Sequence, residues 1–334
     1  MMSSPNTPTG FILAGPFCEN PMSTPFQNAG LAAREIVSSQ SLPASTLYVV
    51  ASPIGNLADI TLRALHVLQV MDYVACEDTR HTQQLCRSLG IDLPASKCIA
   101  VHQHNEHEGA QHVASLLQEG CRVAYLSDAG TPGVSDPGAI LTHEVQSRGF
   151  RVMPIPGVSS VTALLSVSGV VEPEHAGFVF VGFLSSKAPM RQSQIQAMGQ
   201  EGRAQILLEA PHRIVATAKA LAALGERPLT LGRELTKQFE EIVTLPCQVL
   251  ESWLLGSSDR QRGEFALVVH PLKTKSAGES EDVAVDSRVL KLLLPHVPLK
   301  TAVALSAEIT GQAKKPLYAL ALTLKSEDSS PNER

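Results

Sequence analysis

Apolar and polar positions follow one another along this chain in the rhythm of an α/β protein. From Leu47 onward, short continuous apolar runs alternate with longer segments in which apolar residues recur at helical spacing. This order predicts βαβ units and a largely parallel sheet. The rhythm continues to the apolar run at residues 263–269, so we predict two α/β domains, at residues 47–170 and 171–272.

The two ends of the chain depart from this rhythm. Residues 1–46 are rich in Ser, Pro, Thr, Asn and Gln, which predicts a disordered extension. A polar linker at residues 273–282 precedes a segment with helical periodicity, residues 283–325, which carries six basic residues against two acidic ones. Such local basicity fits a surface for nucleic-acid phosphates, and it equally fits a helical packing extension with a solvated face.

Three strand-to-loop exits share the same residue types. Apolar runs pass into loops rich in Gly, Pro and small hydroxyl residues at positions 52–57, 128–138 and 156–160. Ligands of open α/β sheets bind outside the carboxyl ends of the strands, and glycine lets the backbone approach a ligand closely. Loops after strands often use these residues for turns alone. Three of them together predict one site assembled from distant parts of the sequence.

Composition narrows the functional classes. The chain has 334 residues, 44% of them hydrophobic and 18% charged, with a net charge of −5. We expect no membrane span, because no apolar run is long enough, and a cytoplasmic protein whose six cysteines stay reduced. Aromatic residues make up only 4%, which argues against a single-strand binder built on stacking. The glycine patterns of dinucleotide-binding and P-loop folds are absent from the sequence.

Seven short motifs make the chain resemble one family. They are Ser52-Pro-Ile-Gly-Asn-Leu57, Asp59-Ile-Thr-Leu-Arg63, Glu77-Asp-Thr-Arg-His-Thr82, Ser127-Asp-Ala-Gly-Thr-Pro132, Pro154-Ile-Pro-Gly157, Glu209-x-Pro-His-Arg213 and Arg233-Glu-Leu-Thr-Lys237. In this order they resemble the ribosomal RNA small-subunit methyltransferase I family of the tetrapyrrole methylase superfamily. The resemblance covers residues 47–270, and residues 299–324 are similar to the C-terminal extension of that family. The long N-terminal extension departs from the family pattern, as does Ala210, where the family usually has a hydroxyl residue.

The resemblance implies a fold, a reaction and a partner. The fold is two αβα domains with S-adenosylmethionine in the cleft between them, usually in a homodimer. The reaction is methylation of a cytidine ribose 2′-hydroxyl in the decoding region of 16S rRNA, in the small ribosomal subunit. The residues that we expect to bind the cofactor are Pro53, Gly55, Asn56, Asp128, Ala129, Gly130, Thr131, Pro132, Pro156, Gly157 and Ser159.

Charged residues near the predicted strand ends provide candidates for catalysis and RNA binding. The candidate catalytic residues are Glu209, His212, Lys237 and Asp78. Each could instead cap a helix, form an ion pair or fill a structural role. The candidate RNA contacts are Arg80, Arg213, Arg233, Lys314 and Lys315, whose charge suits phosphate. The histidines of residues 102–107 lack a carboxylate or cysteine at a recognisable ligand spacing, so we expect a solvated loop and no metal.

Two alternative functions remain open at this point. A tetrapyrrole C-methyltransferase of the same superfamily would leave the basic C-terminal segment and the motif at Glu77 unexplained. A non-enzymatic RNA-binding assembly factor would leave the glycine- and proline-rich loops without a ligand. Both alternatives are therefore less favoured than rRNA methylation.

Overall fold

The computed structural model describes residues 25–37, 39–170, 177–272 and 287–328. Contacts between residues divide the chain into two units that meet in sequence between Leu272 and Lys273. The first unit contains two β-sheets with their helices, and the second is helical. Within the described ranges, no helix has the length and apolar character needed to cross a membrane.

The first sheet is entirely parallel, as predicted. Its strands are β1 (Thr46–Val50), β2 (Tyr73–Cys76), β3 (Cys98–Ala100), β4 (Arg122–Leu126) and β5 (Arg151–Ile155). They lie in the order β3-β2-β4-β1-β5, with Leu47 opposite both Val123 and Val152. Because β4, β1 and β5 are neighbours, the three predicted loops leave the same edge of the sheet side by side.

Helices cover both faces of this sheet. They are α1 (Pro25–Val37), α2 (Leu62–Val70), α3 (Thr79–Ser88), α4 (Glu106–Gln118) and α5 (Ala139–Ser147). Tyr48 of β1 packs in the core with α1 and α2, whereas Leu47 packs in the core with α4 and α5. The N-cap of α2 is Thr61, whose hydroxyl accepts the hydrogen bond from the Ala64 N–H at 3.1 Å.

Helix α1 corrects the expectation of disorder across residues 1–46. That expectation is wrong for residues 25–37, where Phe26, Ala29 and Ala33 pack against the core that contains α2. These apolar residues recur at helical spacing, so they form a stripe that the polar composition of the segment concealed. Residues 1–24 and residue 38 lie outside the described residues.

The second sheet differs from the prediction of a largely parallel sheet. Its strands are β6 (Phe178–Gly182), β7 (Ala204–Glu209), β8 (Pro228–Arg233), β9 (Glu241–Pro246) and β10 (Phe265–Val269), in the order β6-β7-β10-β8-β9. Only β6 and β7 pair in parallel. Strands β8 and β9 are joined by the short loop 234–240 without a crossover helix, and such a connection requires antiparallel pairing. The sequence analysis did not predict β9.

Helices also cover both faces of the second sheet. One face carries α7 (Ala188–Gln200), α8 (Ile214–Leu221) and α9 (Leu250–Leu255). The other face carries α6 (Ser160–Val167), which lies within the segment 47–170 that we predicted as the first domain. Its Val161 and Leu164 pack against Ile206 and Val268 of the second sheet. Residues 171–176, which follow the proposed boundary at residue 170, lie outside the described residues.

The described part of the second unit, residues 287–328, consists of three helices, which confirms the predicted C-terminal helical piece. These are α10 (Ser287–Leu293), α11 (Leu299–Thr310) and α12 (Lys314–Asp328). Their core contains the buried residues Leu290, Ala302, Val303, Leu317 and Ala321. Helix α11 ends at Gly311, whose φ of 70° closes the helix and starts the turn into α12.

Candidate active site

Hydrogen bonds join the three predicted loops into one surface. The Ser52 N–H donates to the Gly130 carbonyl at 2.9 Å, and the Gly130 N–H donates back to the Ser52 carbonyl at 3.1 Å. The Thr131 hydroxyl donates to the Val158 carbonyl at 3.2 Å. The loops after β1, β4 and β5 therefore form one continuous wall.

A cavity of about 320 Å³ lies between this wall and the second sheet, at the carboxyl end of β7 and the amino end of β10. Its lining comes from residues 54, 129–131, 134–136 and 159–161 on one side, and from residues 183, 208–211, 235 and 264–266 on the other. Small-molecule sites have volumes of about 300–1,000 Å³ and often occupy such junctions. The cavity is therefore the candidate active site.

Some of the predicted cofactor residues line the cavity and others flank it. The four that line it are Ala129, Gly130, Thr131 and Ser159. Those outside the lining, in the same three loops, are Pro53, Gly55, Asn56, Asp128, Pro132, Pro156 and Gly157. Gly130 has a φ of 78°, and a Cβ at this position would lie 3.4 Å from the Ile54 Cγ2. Glycine therefore serves both the backbone conformation and the space at this point of the wall.

The donors and acceptors at this wall fit S-adenosylmethionine. The Asp128 Oδ1 is buried and accepts no hydrogen bond from the described residues. A buried carboxylate oxygen needs a donor, and the cofactor's ammonium and ribose hydroxyl groups are donors. The hydroxyls of Thr131 and Ser159 add groups that can donate or accept. The cofactor assignment of the individual residues stays a prediction.

Glu209, a predicted catalytic residue, lies at the end of β7 with both carboxylate oxygens engaged. The side chain is buried and accepts hydrogen bonds from the Ala210 N–H at 3.0 Å and the Thr217 hydroxyl at 2.6 Å. The Arg213 Nε lies 3.1 Å from its Oε1, and the same guanidinium donates to the Leu184 carbonyl. The predicted catalytic residue and the predicted RNA contact thus form an ion pair, which favours a structural role for both.

Lys237 is also held by carboxylates. Its Nζ lies 2.9 Å from both Glu234 Oε1 and Glu264 Oε2. Burial by itself would lower the pKa of this ammonium, but the hydrogen bonds and charges of the two carboxylates outweigh burial and raise it. A lysine with a raised pKa retains its proton, which disfavours a role for Lys237 as a general base.

The loop that carries Lys237 contacts the first predicted loop. The Asn56 N–H donates to the Thr236 hydroxyl at 3.1 Å, and a Cβ on Gly55 would lie 2.9 Å from the same oxygen. Thr236 itself has a φ of 66°, which is rare for a β-branched residue. Gly55 and Asn56 therefore help to join the two sides of the cavity wall.

The remaining predicted catalytic residues lie outside the cavity lining. Asp78 caps α3 by accepting hydrogen bonds from the N–H groups of His81 and Arg80, and these bonds lower its pKa. A carboxylate with a lowered pKa is a weak base. His212 is exposed in the loop after β7.

The predicted RNA contacts divide into paired and exposed side chains. Arg233 is only 11% exposed and lies 3.5 Å from the Glu241 carboxylate, which favours a structural role. The Arg80 side chain is 92% exposed. Lys314 and Lys315 are exposed at the start of α12. Arg80 and the two lysines therefore remain the candidates that RNA could reach.

Asp136 lines the cavity, although the sequence analysis assigned it no role. Burial raises the pKa of its carboxyl to about 6, with a further increase from the charge of Glu77. A hydrogen bond from Ser127 opposes this shift, and the charges of Asp128 and Glu264 add to it. The signal available in the sequence was an Asp in the same loop as the cavity glycines. Nothing in the motif distinguished it from the neighbouring Asp128.

Comparison with solved structures places the fold. A cobalt-precorrin-4 methyltransferase of cobalamin biosynthesis superposes with a TM-score of 0.51 at 18% identity, over 67% of this chain and 94% of that one. A diphthine synthase superposes with a TM-score of 0.50 at 15% identity, over 67% of this chain and 89% of that one. At such low identity these likenesses show the fold alone.

Comparison with protein families and curated relatives is more specific. The family described as tetrapyrrole (corrin/porphyrin) methylases matches residues 46–250, and the RsmI C-terminal HTH domain matches residues 280–325. The predicted α/β fold of the tetrapyrrole methylase type is therefore confirmed.

Curated relatives match this chain over nearly their whole length. Ribosomal RNA small subunit methyltransferase I of Pseudomonas aeruginosa is 45% identical over 283 residues, which are 84% of this chain and 98% of the relative. The protein of the same name from Neisseria meningitidis serogroup B is 43% identical over 87% of this chain and 97% of the relative. The one from Escherichia coli O157:H7 is 42% identical over 83% of this chain and 94% of the relative. The chain therefore belongs to the ribosomal RNA small subunit methyltransferase I family.

Proposed function

We propose that this chain transfers a methyl group from S-adenosylmethionine to the ribose 2′-hydroxyl of a cytidine in the decoding region of 16S rRNA. Family membership supports the coarser statement directly: the chain is an S-adenosylmethionine-dependent rRNA methyltransferase. The observation that carries the proposal is the cavity walled by the three glycine- and proline-rich loops. A tetrapyrrole methyltransferase and a non-enzymatic assembly factor are both less consistent with these relatives.

The loop side of the cavity would hold the cofactor. Gly130 allows close approach of the backbone, while Thr131, Ser159 and the buried Asp128 oxygen provide polar contacts. When bound there, S-adenosylmethionine supplies a methyl group attached to a positively charged sulfur. The carboxylate of Asp136 gives the cavity a negative wall that suits this charge. Holding both reactants in line can contribute up to about 7–11 kcal/mol to lowering the barrier.

The C-terminal unit would contribute to RNA binding. Exposed Lys300, Lys314 and Lys315 border one groove together with Tyr318, which is 40% exposed. Lysines suit phosphates, and the tyrosine ring can stack on an unpaired base. Exposed Arg80 of the first unit is a further candidate phosphate contact.

The wide spacing of these groups along the chain favours a large, folded substrate. We propose that the enzyme acts on the small ribosomal subunit in the cytoplasm, as a homodimer. Much of the binding energy would then come from contacts remote from the reacting ribose, so short RNAs would be poor substrates.

The test is methylation of small subunits isolated from a strain that lacks the endogenous enzyme of this family. The purified chain and radiolabelled S-adenosylmethionine should modify one cytidine in the decoding region, and the adjacent phosphodiester bond should become resistant to alkaline hydrolysis. Free cytidine and a short oligonucleotide of the same sequence serve as controls and should react slowly. Label on a base atom, or outside the decoding region, would contradict the proposal.

A further inference from the structure

Two aromatic side chains belong to the described lining of the cavity, and they differ in exposure. Phe265 is 3% exposed and packs in the core of the second sheet, whereas Phe183 is 48% exposed. Leu235, which also lines the cavity, is 8% exposed. Phe183 therefore lies at the opening of the cavity, where its ring can meet a molecule that enters from solvent.

A bulge in β6 precedes Phe183. Phe180 pairs with Ile206, but Gly182 pairs with Leu207, so β6 has one residue more than β7 at this point. Gly182 has a φ of 70°, a conformation that glycine adopts readily. Such bulges bend a strand and redirect the side chains beside them, often next to active sites. The bulge therefore helps to set the direction in which the chain continues to Phe183.

The residues after Phe183 are anchored. Leu184 is 2% exposed and packs in the same core as Ile195. The Ser185 N–H donates to Gln194 Oε1 on α7 at 2.8 Å. Phe183 thus lies between a bulge and a buried residue, and its backbone has a defined position. Because the backbone is fixed before binding, little of its freedom is lost when a ligand covers the ring.

Position and chemistry together indicate the ligand of this ring. The cofactor is proposed to bind at the loop side of the cavity, so the second-sheet side remains for the substrate. On that side, Glu209 and Lys237 are held by ion pairs, whereas Phe183 leaves an aromatic face uncovered. An RNA base is attached to the ribose carbon beside the one that carries the 2′-hydroxyl. A base held at the opening would therefore bring that hydroxyl to the cavity.

We infer that the Phe183 ring stacks on the base of the nucleotide that is methylated, once this base has left its stack in the RNA. Proteins commonly bind unstacked RNA bases on aromatic side chains, and enzymes that modify a nucleotide often hold it in this way. The stack stabilises the unstacked nucleotide and positions its ribose. Because every base has a flat face, Phe183 contributes position and affinity without selecting cytosine. This inference rests on the proposed function and adds a base-binding contact to the same site.

The first test compares Phe183→Ala with wild type and with Phe178→Ala. Phe178 is the matched control, because it lies in β6, is 41% exposed and is outside the cavity lining. On small subunits, Phe183→Ala should lower kcat/KM by about 5- to 150-fold, the usual loss when an aromatic stack on a base is removed. The decrease should be mainly in kcat, because contacts remote from the reacting ribose still hold the subunit. Phe178→Ala should match wild type.

The second test separates stacking from apolar contact. Phe183→Tyr keeps the aromatic face and should retain most of the wild-type kcat/KM on subunits. Phe183→Leu keeps an apolar side chain without a ring, so it should show most of the loss seen for Phe183→Ala.

Two further measurements separate this role from cofactor binding and from folding. Phe183→Ala should bind S-adenosylmethionine with wild-type affinity in calorimetry, because the loop side of the cavity is unchanged. Its melting temperature should stay close to that of wild type, because truncation of a half-exposed side chain leaves no enclosed cavity. Lost kcat with retained stability and retained cofactor affinity is the expected combination.

Several results would overturn the inference. If wild type methylates subunits and Phe183→Ala retains its kcat/KM, the ring does not contact the reacting nucleotide. An equal loss for Phe178→Ala would assign the effect to the exposed face of β6 as a whole. Full activity of Phe183→Leu would show apolar packing alone.

A loss of S-adenosylmethionine affinity in Phe183→Ala would instead place the adenine of the cofactor on the ring. These outcomes contradict the inference and leave the proposed function intact. If wild type itself fails to methylate a ribose hydroxyl in subunits, the proposed function and this inference both fail.

Discussion

The two sides of the cavity wall satisfy their polar groups in different ways. On the side of the first sheet, the wall consists of small residues, and the buried Asp128 oxygen and the Asp136 carboxylate have no cation beside them in the described structure. On the side of the second sheet, charged residues are joined to each other, Glu209 to Arg213 and Lys237 to Glu264. The difference indicates that the first side is built to meet a ligand and the second side to hold its own shape.

This difference explains why charge at a strand end was an ambiguous signal. Glu209, Arg213 and Lys237 were candidates because charged loops often carry function. The structure shows their partners, of which Thr217 lies on the next helix and Glu264 lies 27 residues away from Lys237. A sequence shows the charges, but it does not show which of them the fold brings together.

The largest expected effect concerns the ion pair between Arg213 and Glu209, on the second-sheet side of the cavity. Arg213→Ala would leave the Glu209 carboxylate buried without its cation, and such a loss costs about 3 kcal/mol of folding free energy. Urea denaturation with and without the substitution measures this. Arg80→Ala is the matched control, because its 92% exposed side chain predicts a change within about 0.5 kcal/mol.

The same pair of variants separates structure from RNA binding. If Arg213→Ala keeps the wild-type stability but loses activity on subunits, the side chain binds RNA as the sequence analysis predicted, and the contrast between the two sides fails.

The next effect concerns the loop side. Gly130 and Gly133 have nearly equal φ values of 78° and 80°, so valine at either position strains the backbone to a similar extent. Only Gly130 lines the cavity, with Ile54 Cγ2 3.4 Å from where a Cβ would lie, whereas a Cβ on Gly133 would have no neighbour within 4 Å. We expect similar melting temperatures for the two variants, and at least a tenfold loss of S-adenosylmethionine affinity for Gly130→Val alone. Equal affinities in calorimetry would place the cofactor elsewhere.

The first sheet could be predicted from the sequence more fully than the second. Parallel strands separated by helices produce long-range periodicity, and the residues of β1, β4 and β5 showed it clearly. Strand β9 was not predicted because it is an edge strand of six residues. Its residues are all at least partly exposed, so its sequence shows no clear alternation of apolar and polar positions. The packing of α6 on the second sheet was not predicted either, because helical periodicity does not show which sheet a helix will cover.

The candidate site shows the same limit. The loops were predicted from their glycines and prolines, and they do meet at one cavity. The raised pKa of Asp136 depends on burial and on the charges of Glu77, Asp128 and Glu264, which come from three separate parts of the chain. Only folding brings these carboxylates close to Asp136.

The smallest expected effect concerns the C-terminal unit, where the positive charge is carried by exposed lysines. On the second-sheet side of the cavity, by contrast, Arg213 and Lys237 form ion pairs with carboxylates. Lys314 and Lys315 stand together at the start of α12 and border a groove with Lys300 and Tyr318. Each lysine that contacts a phosphate of single-stranded RNA releases counterions and adds about 0.7 to the slope of log K against log salt. The double variant Lys314→Ala/Lys315→Ala should therefore lower that slope by about 1.4 in a filter-binding titration on small subunits, with no change in cofactor affinity.

The control removes two exposed lysines from the first unit, as Lys187→Ala/Lys219→Ala, with the same change of net charge. If the salt dependence reflected net charge alone, both double variants would lower the slope equally, and Lys314 and Lys315 would have no special part in binding. A decrease confined to Lys314→Ala/Lys315→Ala would assign phosphate contacts to the start of α12. The cavity would then be the site of methyl transfer, and the C-terminal unit would contribute part of the affinity for RNA.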